Sequence, residues 1–477
     1  MLSGRALILT ALFLICQFVF LNQRCSPPEP GGSSCPAIVS EDGTHPSIQK
    51  RHRVAVATTY GVHMDVYMSL VWTLQRVMDR SQTGGTVEVY APFPFIFDFR
   101  TVVETLRLYR GEVKKPDALI DAINHNMGAG GIDMVVLGTC EIDLRSPWGE
   151  SLLSAWDARD HDHKFKLICI VHNGPETSPQ KTIEDFSRRN ALRILPISEH
   201  VAATQRRSFL TRADSLDVSV RSAGYEHIPI DVHVPVLDIP AAVDKSPLRI
   251  LSNVVIQGNF AHERRDYRNL FNDLLRSLSE DPKVWGYLPL DGENATYVVD
   301  TALRVAGSPF RLFFVGSGTA IQIPQELENI VLIRSRLNYV DFYAFMSTMD
   351  ISLPVFPANN AYYDAKASST FAMAIECNVP ILVTTRIRTS YKHVDDDRAV
   401  VTRPAAMREV DALRALRTQD ASNFLQRTGN SWDPATVQAV ENMMRRGWVR
   451  SEEDFHAVKQ NIWTANDRVV ERLLGDI

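Results

Sequence analysis

The stretch RVAVATTYGVHMDVYMSLVWTLQRVM (53–78) decides the fold. A short β-branched run comes first, and an amphipathic pattern with helical spacing follows it directly. Four further runs of the same kind alternate with helical patterns: TVEVYAP (86–92), IDMVVLGT (132–139), KLICIVHN (166–173) and ALRILPIS (191–198). Apolar strands separated by helices indicate a parallel sheet that is covered on both faces. We therefore predict an α/β, Rossmann-like, doubly wound domain over residues 52–235.

A second domain of the same class follows. The proline-punctuated segment HIPIDVHVPVLDIPAAVDKSP (227–247) interrupts the alternation, which restarts with LRILSNVVIQGN (248–259). The other predicted strands are FRLFFVGSG (310–318), NIVLIRS (329–335), DISLPVF (350–356), VPILVTT (379–385) and RAVVT (398–402). We predict a second Rossmann-like domain over residues 248–432. Helical periodicity predicts C-terminal helices over residues 433–477.

The composition is that of an ordinary globular protein with material for a large core. The chain has 477 residues, of which 45% are hydrophobic and 22% are charged, and this length suggests at least two domains. The formal net charge of −5 supplies no overall basic field. We therefore expect no nucleic acid among the partners.

The N-terminus differs from the rest of the chain. Residues 6–21 read ALILTALFLICQFVFL, and an apolar helix of this length spans about 24 Å. Because no small-x-small cleavage site follows, we favour an uncleaved signal-anchor (residues 1–24) over a removed signal peptide. Residues 25–50 are rich in proline and predict a flexible stem. The expected protein is a single-pass type II membrane protein of the Golgi or endoplasmic reticulum, with its main part in the lumen.

The six cysteines do not form a zinc or disulfide framework by their spacing. Cys25 and Cys35 lie in the stem, where they could pair with each other or with another chain. The remaining four, Cys16, Cys140, Cys169 and Cys377, lie in or beside hydrophobic runs, which predicts buried free thiols. The sequon Asn294-Ala295-Thr296 would be usable in the lumen and would make the chain a glycoprotein.

Ligands of open parallel sheets bind beyond the carboxyl ends of the strands, so the loops there are candidate sites. In TTYGVHMD (58–65), Gly61 and His63 are candidates, although a turn glycine followed by an N-cap Asp65 explains the loop equally well. In VHNGPET (171–177), His172 and Asn173 leave a buried strand and would face the crevice. The alternative is a histidine that bonds neighbouring backbone.

Two loops of the second domain are candidates for an anion or nucleotide. In QGNFAHERRDY (257–267), Gly258 and Asn259 end a strand, and Arg264 and Arg265 open a helix, where a cation opposes the macrodipole. A bound phosphate would offset that cost, and the alternative is two solvated arginines. In FVGSGT (314–319), Gly316 and Gly318 suit backbone approach to a ligand. The third glycine of a dinucleotide fingerprint is missing, since Ile321 stands there.

The cassette KASST (366–370) precedes an apolar helical run. Ser368, Ser369 and Thr370 are good N-cap residues, but one of them would suffice as a cap. With Lys366 upstream, the hydroxyls, helix-terminus amides and ammonium make an anion site, for which we predict phosphate. The acidic run VDDDRA (394–399) could hold a metal, but its place between late strands favours a solvated turn.

In this order of motifs the chain resembles the GT-B glycosyltransferases, particularly the retaining group that uses nucleotide-sugar donors. The resemblance covers residues 52–475 and rests on these segments: ILPISEHV (194–201), HIPID (227–231), IQGNF (256–260) with Arg264 and Arg265, FFVGSG (313–318), YVDFYAFMSTMDISLPVF (339–356) and AIECNVPILVTT (374–385). One motif departs from the group. Its Glu-x7-Glu pair falls on Ala365 and Met373, with only Asp364 and Glu376 nearby, and a K-x-S pattern stands there instead.

The resemblance implies transfer of a sugar from a nucleotide-sugar donor to a glycan, glycoprotein or glycolipid acceptor. His172 would be catalytic, and Gly61, His63 and Asn173 would lie on the acceptor side. The donor would be bound by these residues: Gly258, Asn259, Arg264, Arg265, Gly316, Gly318, Lys366, Ser368, Ser369 and Thr370. Fixed donors and cations would stabilise the leaving group, so no metal or other cofactor is expected.

Three alternatives remain open at this point. A nucleotide-sugar epimerase would convert the donor without any acceptor. A non-catalytic scaffold or binding protein of the same fold fits the missing glutamate pair. A metal-dependent GT-A enzyme would be built around Asp395–Asp397.

Overall fold

Six parallel strands form the first sheet, in the order β3-β2-β1-β4-β5-β6. They are β1 His52–Ala57, β2 Gly85–Tyr90, β3 Val113–Lys114, β4 Met134–Leu137, β5 Lys166–Val171 and β6 Leu192–Pro196. This is the Rossmann strand order, in which the chain winds outward in both directions from β1. The computed structural model describes residues 51–81, 84–145, 147–174, 180–240, 249–290, 296–303, 308–427 and 431–477.

The second sheet repeats this topology, in the order β11-β10-β7-β12-β13-β14. A hairpin of two antiparallel strands, which the sequence did not predict, is inserted after the first of them. The strands are β7 Asn253–Asn259, β8 Tyr287–Leu290, β9 Thr296–Val299, β10 Arg311–Ser317, β11 Val331–Ser335, β12 Ile351–Ser352, β13 Ile381–Val383 and β14 Val400–Thr402. The α/β class with two Rossmann-like sheets is confirmed.

Helices connect the strands of both sheets. In the first domain they are α1 Met64–Ser81, α2 Phe99–Thr105, α3 Ala118–His125, α4 Cys140–Asp143, α5 Pro147–Ala158, α6 Gln180–Arg188, α7 Glu199–Ala213 and α8 Val218–Arg221. In the second they are α9 Tyr267–Glu280, α10 Tyr339–Met346, α11 Ser369–Glu376, α12 Thr385–Ser390, α13 Glu409–Thr418 and α14 Ser422–Leu425. The chain ends with α15 Pro434–Arg446 and α16 Glu452–Gly475.

The strand interiors are buried because helices cover both faces of each sheet. All four residues of β4 are buried, and alternate residues pack into different clusters. Met134 and Val136 join the cluster that continues into the second domain, whereas Val135 and Leu137 join the outer core of the first. The continuous apolar runs in the sequence reflect this two-sided burial.

One predicted strand is much shorter than expected. DISLPVF (350–356) forms a strand only at Ile351–Ser352. Pro354 has no N–H to donate to a ladder, and Val355 adopts a left-handed φ of 49°. The chain therefore leaves the sheet early and carries the following loop toward the other domain.

The last helix, Glu452–Gly475, returns to the first domain and packs on its first helix. The Trp463 indole donates to the carbonyl of Val236 at 2.8 Å, and Asp467 accepts from Arg76 and pairs with Arg80 at 2.7 Å. The proline-punctuated connection is held extended in the same way, since Val234 N donates to Asn466 at 3.0 Å. The two domains and the C-terminal helices belong to one compact unit, residues 50–477.

The prediction of free thiols at Cys140 and Cys169 is wrong, because these two cysteines form a disulfide. Cys140 begins the helix that follows β4 and Cys169 lies on the adjacent strand β5, so the parallel pairing places them side by side. Spacing in sequence gave no sign of this, since the two cysteines have a sequence separation of 29. The prediction for Cys377 is confirmed: it is a buried free thiol.

Several predictions fall on residues outside the described ranges: the signal-anchor (1–24), the stem (25–50) with its two cysteines, and Asn294 of the sequon. Within the described part of the chain, none of the helices combines the length and the apolar character needed to cross a membrane.

Candidate functional site

The carboxyl edges of the two sheets face each other across a cavity of about 540 Å³. From the first domain, the predicted residues His63, His172 and Asn173 line it, together with Asp65, Glu141 and Arg145. From the second domain, the predicted residues Gly258, Asn259, Arg264, Arg265, Ser368, Ser369 and Thr370 line it. A cavity of this size is typical of small-molecule sites.

Backbone hydrogen bonds join the two domains at the base of this cavity. Gly174 N donates to the carbonyl of Ala365 at 2.7 Å, and Ala367 N donates to the carbonyl of His172 at 3.1 Å. Asn173 and Lys366 form an antiparallel bridge between them. The histidine after β5 is thus fixed beside the KASST cassette, although almost two hundred residues separate them in sequence.

The placement of Lys366 differs from its predicted role. Its backbone carbonyl accepts from His200 at 2.8 Å and from the Tyr391 hydroxyl at 3.2 Å. The lysine is not among the residues that line the cavity. The bridge to the first domain fixes its backbone. The arginines that line the cavity are Arg145, Arg264 and Arg265.

The cassette combines a cap with surplus donors. Ser368 is the N-cap of Ser369–Glu376, and its hydroxyl accepts from Thr370 N at 3.4 Å. Thr370 is fully buried, and its hydroxyl donates to the carbonyl of Gln257 at 3.1 Å. Ser369 is exposed at the cavity. The cap interpretation therefore accounts for Ser368 and the packing accounts for Thr370, whereas Ser369 and the first-turn amides face the cavity.

Arg265 is a buried cation whose hydrogen-bond partners are all neutral. It is 5% exposed and donates to the carbonyl of Gln257 at 2.8 Å, to the Thr370 hydroxyl at 2.9 Å and to the carbonyl of Pro354. No carboxylate pairs with it among the residues that the structure describes. Burial lowers the pKa of its guanidinium to about 10. A buried charge without a counter-charge is costly, and an anion in the cavity would offset that cost.

Arg264 lies beside it at the cavity and is only half-buried. Its guanidinium stands 5.9 Å from the centre of the Tyr362 ring and makes no ion pair within the described parts of the chain. Asn360 donates to the carbonyls of Glu263 and Arg264 at 3.2 Å each, which fixes the backbone of this loop. Both arginines therefore line the same cavity. The guanidinium of Arg265 is held by hydrogen bonds, whereas that of Arg264 is half-buried and makes no ion pair with a described residue.

The first-domain side of the cavity carries two stacked histidines. The rings of His63 and His172 lie 4.2 Å apart at an interplanar angle of 26°. Burial lowers the pKa of His63 to about 3 and that of His172 to about 4, so both rings are neutral at physiological pH. His172 Nε2 lies 3.3 Å from the carbonyl of Gly138, which fixes Nε2 as the protonated nitrogen. The alternative interpretation, a histidine that bonds neighbouring backbone, therefore holds for Nε2 of His172. Nδ1 of the same ring remains a hydrogen-bond acceptor.

His63 also carries backbone strain. Its φ of 62° is unusual for a residue with a side chain, and its Nδ1 is buried with no hydrogen-bond partner in the described structure. Asp65 follows in the first turn of the helix, where burial raises the pKa of its carboxyl to about 6. The loop after β1 therefore presents the imidazole of His63 on a strained backbone and a carboxyl group, that of Asp65, whose pKa is about 6.

Sequence reasoning missed two carboxylates in the short helix after β4. Glu141 accepts from His172 N at 2.6 Å and from Asn173 N at 3.0 Å. Asp143 accepts from Thr59 N at 2.7 Å and from Thr139 N at 2.9 Å, and burial raises its pKa. These residues hold the two candidate loops in place. They follow IDMVVLGT, so the rule on strand ends would have found them had it been applied to that strand.

The three predicted glycines away from β7 have less direct roles. A Cβ at Gly316 would lie 2.0 Å from the carbonyl oxygen of Gly258, and one at Gly318 would lie 2.7 Å from Phe260 N. Close packing of adjacent strands therefore requires these glycines, whatever ligand binds. Gly316 lines a smaller cavity of about 170 Å³ that shares Phe97 and Tyr339 with the larger one. Gly318 and Gly61 line neither cavity.

The acidic run VDDDRA (394–399), which lies between the helix Thr385–Ser390 and the last strand, is paired with arginines. Asp395 and Asp397 each accept from Arg388 at 2.6 Å, and Asp396 pairs with Arg398 at 2.6 Å. Across the described ranges, no group of three or more histidine, cysteine, aspartate or glutamate side chains is placed to hold a metal ion. The predicted solvated turn is thus a surface turn whose three aspartates form ion pairs with arginines.

Of the two acidic residues near the missing glutamate pair, Asp364 and Glu376, neither lines the cavity. Glu376 is 2% exposed, and it accepts from Leu237 N at 2.8 Å. Lys459 donates to its backbone carbonyl at 3.0 Å, and burial raises the pKa of the Glu376 carboxyl to about 8. This side chain fastens the interdomain connection and cannot substitute for a donor-binding glutamate.

Comparison with known proteins gives only remote likenesses. No protein-family model matches the chain, and no curated protein matches it in sequence. In structure the chain is similar to an alpha-glucosyltransferase in complex with UDP-glucose and DNA containing an abasic site, with 10% identity, a TM-score of 0.46 and coverage of 88% of this chain and 94% of that chain.

Two further solved structures show the same level of similarity. One is the lipopolysaccharide outer core galactosyltransferase WaaB in its apo form, with 11% identity, a TM-score of 0.41 and coverage of 86% and 98%. The other is S. aureus MnaA in a co-structure with UDP, with 10% identity, a TM-score of 0.39 and coverage of 86% and 96%. Likenesses this remote carry no conclusion about activity. By its own topology, two Rossmann-like domains facing across a cleft with the last helix returning to the first domain, the chain has the GT-B fold.

Proposed function

We propose that the chain is a glycosyltransferase that moves a sugar from a nucleotide-sugar donor to a glycan, glycoprotein or glycolipid acceptor. The observation that carries the proposal is the environment of Arg265. It is a buried cation with neutral hydrogen-bond partners, and it contacts the first turn of the helix Ser369–Glu376. Helix-terminus amides, hydroxyls and guanidinium groups together are the donors that proteins use for phosphate. The fold alone does not imply this activity, so the proposal rests on the site.

The donor diphosphate would lie between Arg264, Arg265 and the first turn of Ser369–Glu376. Gly258 favours this position, because it lies at the end of β7 and a Cβ there would stand 3.3 Å from a guanidinium nitrogen of Arg265. The smaller cavity at Gly316, between Tyr339 and Phe342, would hold the nucleoside. When the bond from sugar to diphosphate breaks, negative charge grows on the diphosphate, and the fixed cations stabilise it. We expect this charge stabilisation to need no metal.

The acceptor would approach from the first domain. Neutral His172 offers Nδ1 as a hydrogen-bond acceptor for an attacking hydroxyl, and Glu141 holds it there through backbone amides. His63 stacks on this ring, and Asn173 lies beside it at the domain bridge. Water must be excluded for transfer to compete with hydrolysis, and burial of the cavity between two domains serves that purpose.

We place the protein in the secretory pathway as a type II membrane protein, which stays a proposal together with the absence of a nucleic-acid partner. The apolar run at residues 6–21 supports a membrane anchor. The Cys140–Cys169 disulfide supports an oxidising compartment.

A turnover assay tests the activity. The full chain, purified in mild detergent, is incubated with UDP- and GDP-sugars, with and without a chelator, and release of the nucleoside diphosphate is followed. We expect release from at least one donor class, unaffected by the chelator and reduced about tenfold or more in Arg264→Gln, as loss of a charged hydrogen bond implies. Arg468→Gln, which removes an exposed arginine of the last helix, is the matched control.

A non-catalytic binding protein is the second candidate. It is favoured by Ala365 and Met373 at the positions of the glutamate pair, since neither can contact a donor through a carboxylate. In that case nucleotide binding would depend on Arg264 as proposed, while no donor would be turned over.

A further inference from the structure

A second concave site lies at the outer end of the second sheet, and arginine is the most frequent residue in its lining. It has a volume of about 310 Å³ and shares no lining residue with the central cavity. Five guanidinium groups line it, from Arg388, Arg403, Arg445, Arg446 and Arg450, against one carboxylate, from Asp397. We call it the arginine pocket.

The arginines converge from four separate parts of the chain. Arg388 comes from the helix Thr385–Ser390, and Arg403 follows the last strand. Arg445 and Arg446 end the helix Pro434–Arg446, and Arg450 lies in the connection to the final helix. A basic residue in the last turn of a helix complements the macrodipole, which explains Arg445 and Arg446 singly. It does not explain why the other three meet them.

The carboxylates around the pocket do not balance its charge. Arg388 pairs with Asp395 and Asp397 at 2.6 Å each. Arg446 also pairs with Asp397, and Arg403 pairs with Glu409. Asp454 also attracts Arg450, so five guanidinium groups face four carboxylates and leave a net charge of one positive. A bound oxyanion would offset this excess.

Two of the five arginines have only neutral hydrogen-bond partners in the described residues, although Asp454 attracts one of them, Arg450, at longer range. Arg450 donates to the backbone carbonyls of Asp397 at 2.8 Å and Val400 at 2.7 Å, among others, and burial lowers its pKa. Arg445 donates to the Asn442 side-chain oxygen at 2.5 Å. Hydrogen bonds to carbonyls hold these groups in place without cancelling their charge.

The neutral groups of the lining are also oriented as donors. The Thr402 hydroxyl oxygen accepts from Arg388 at 2.8 Å, so its hydrogen can point away from the arginine. Asn442 uses its oxygen for Arg445, which leaves its amide hydrogens for another acceptor. Cations and donors that converge on one small space favour an oxyanion, such as a phosphate or sulfate group.

We propose that the arginine pocket is a binding site for a phosphate or sulfate group, separate from the cavity between the domains. Its volume lies at the lower end of the range for ligand pockets, which suits one such group with no more than a single sugar attached. The group could come from a free ion or from a sugar ester, and the two sources share the recognised chemistry. This proposal does not depend on the proposed transferase activity.

Calorimetric titration of the full chain at constant ionic strength tests it, with inorganic phosphate, galactose 6-sulfate and neutral galactose as the three probes. The variants are Arg446→Gln, which truncates a half-exposed arginine of the pocket, and Arg264→Gln, which alters only the central cavity. We expect Arg446→Gln to weaken phosphate binding about tenfold at the arginine pocket, since a charge-assisted hydrogen bond is lost. Asp397→Asn should strengthen it several-fold, because the lining carboxylate is removed.

Each outcome decides the matter. Phosphate affinity that is unchanged in both Arg446→Gln and Asp397→Asn overturns the proposal. Arg468→Gln is again the control. If it weakens phosphate binding as much as Arg446→Gln does, the bound phosphate is an adventitious ion only, and the proposal is overturned as well. Loss of the remaining binding in Arg264→Gln reports on the central cavity instead, so failure of the two proposals can be told apart. If Arg446→Gln is unfolded by circular dichroism, Arg445→Gln takes its place with the same expectation. Tighter binding of galactose 6-sulfate than of phosphate identifies the ester as the source.

Discussion

The carboxyl edges of the two sheets share one topology and differ in chemistry. The first edge presents neutral imidazoles. The buried carboxyl groups of Glu141 and Asp143 hold the backbone of the loops beside them. The second edge presents a helix N-terminus and two arginines, one of them buried without a counter-charge. One fold repeated twice has therefore produced one half that suits a neutral acceptor and another that suits an anion. The division of labour lies in the loops and not in the strands.

The largest expected effect concerns the glycines of the two edges. Gly316→Ala should lower the free energy of unfolding by about 3 kcal/mol or more, because the new Cβ would stand 2.0 Å from a backbone oxygen of the adjacent strand. Gly61→Ala is the matched control, since its Cβ would meet only Pro92 at 3.9 Å, and it should stay within about 0.5 kcal/mol. Urea unfolding of both variants measures the difference. Equal costs would show that the second edge is not packed as described.

The next effect concerns the disulfide beneath the first edge. Replacing Cys140 and Cys169 by alanine should cost about 3 kcal/mol, from the entropy of a loop with a sequence separation of 29 residues. Glu141 and Asp143 lie in the helix that Cys140 begins, so the loops that hold His172 should loosen too. Unfolding with and without a reductant measures the cost. Stability that is insensitive to the reductant in the wild type would contradict the bond.

A smaller effect is the pH dependence of stability that His172 of the first edge contributes. His172 binds fewer protons in the folded state than in the unfolded state, since burial lowers its pKa from 6.5 to about 4. Its contribution to stability is therefore present above pH 6.5 and is lost as the pH falls toward 4. His172→Gln should flatten this loss by about 1–2 kcal/mol relative to the wild type. Asp65 opposes the trend, because its raised pKa favours the folded state on acidification, but it is common to both proteins. Parallel pH profiles would argue against a buried neutral imidazole.

The smallest effect distinguishes the roles of Ser368 and Ser369 in the KASST cassette. Ser368→Ala removes the N-cap hydroxyl and should cost about 0.5–1 kcal/mol of stability. Ser369→Ala removes no described hydrogen bond, so stability should hold, while the affinity for a nucleoside diphosphate should fall a few-fold. Thermal unfolding and titration of both variants measure the two quantities. If Ser369→Ala binds nucleotide as the wild type does, the cassette is a helix cap and nothing more.

The sequence predicted the architecture well because buried parallel strands leave a strong local pattern. Strand ends differed mainly where one residue overrides the pattern, as Pro354 and Val355 do in β12. The expectation that residues after a strand face the crevice agrees with the position of His172 and Arg265 at the cavity, while their roles in binding and catalysis stay predictions. The site was not predictable where tertiary contacts decide, as in the bridge that fixes the Lys366 backbone to the first domain, or the pairing of Cys140 with Cys169 on adjacent elements.

Titration of UDP and GDP against the full chain in a chelating buffer tests the central claim most directly, which is that Arg264 and Arg265 hold a diphosphate. We predict saturable binding of one nucleotide, weakened about tenfold or more in Arg264→Gln and in Arg265→Met, and unchanged in Arg468→Gln. Equal affinity in the wild type and in both folded cavity variants would contradict it.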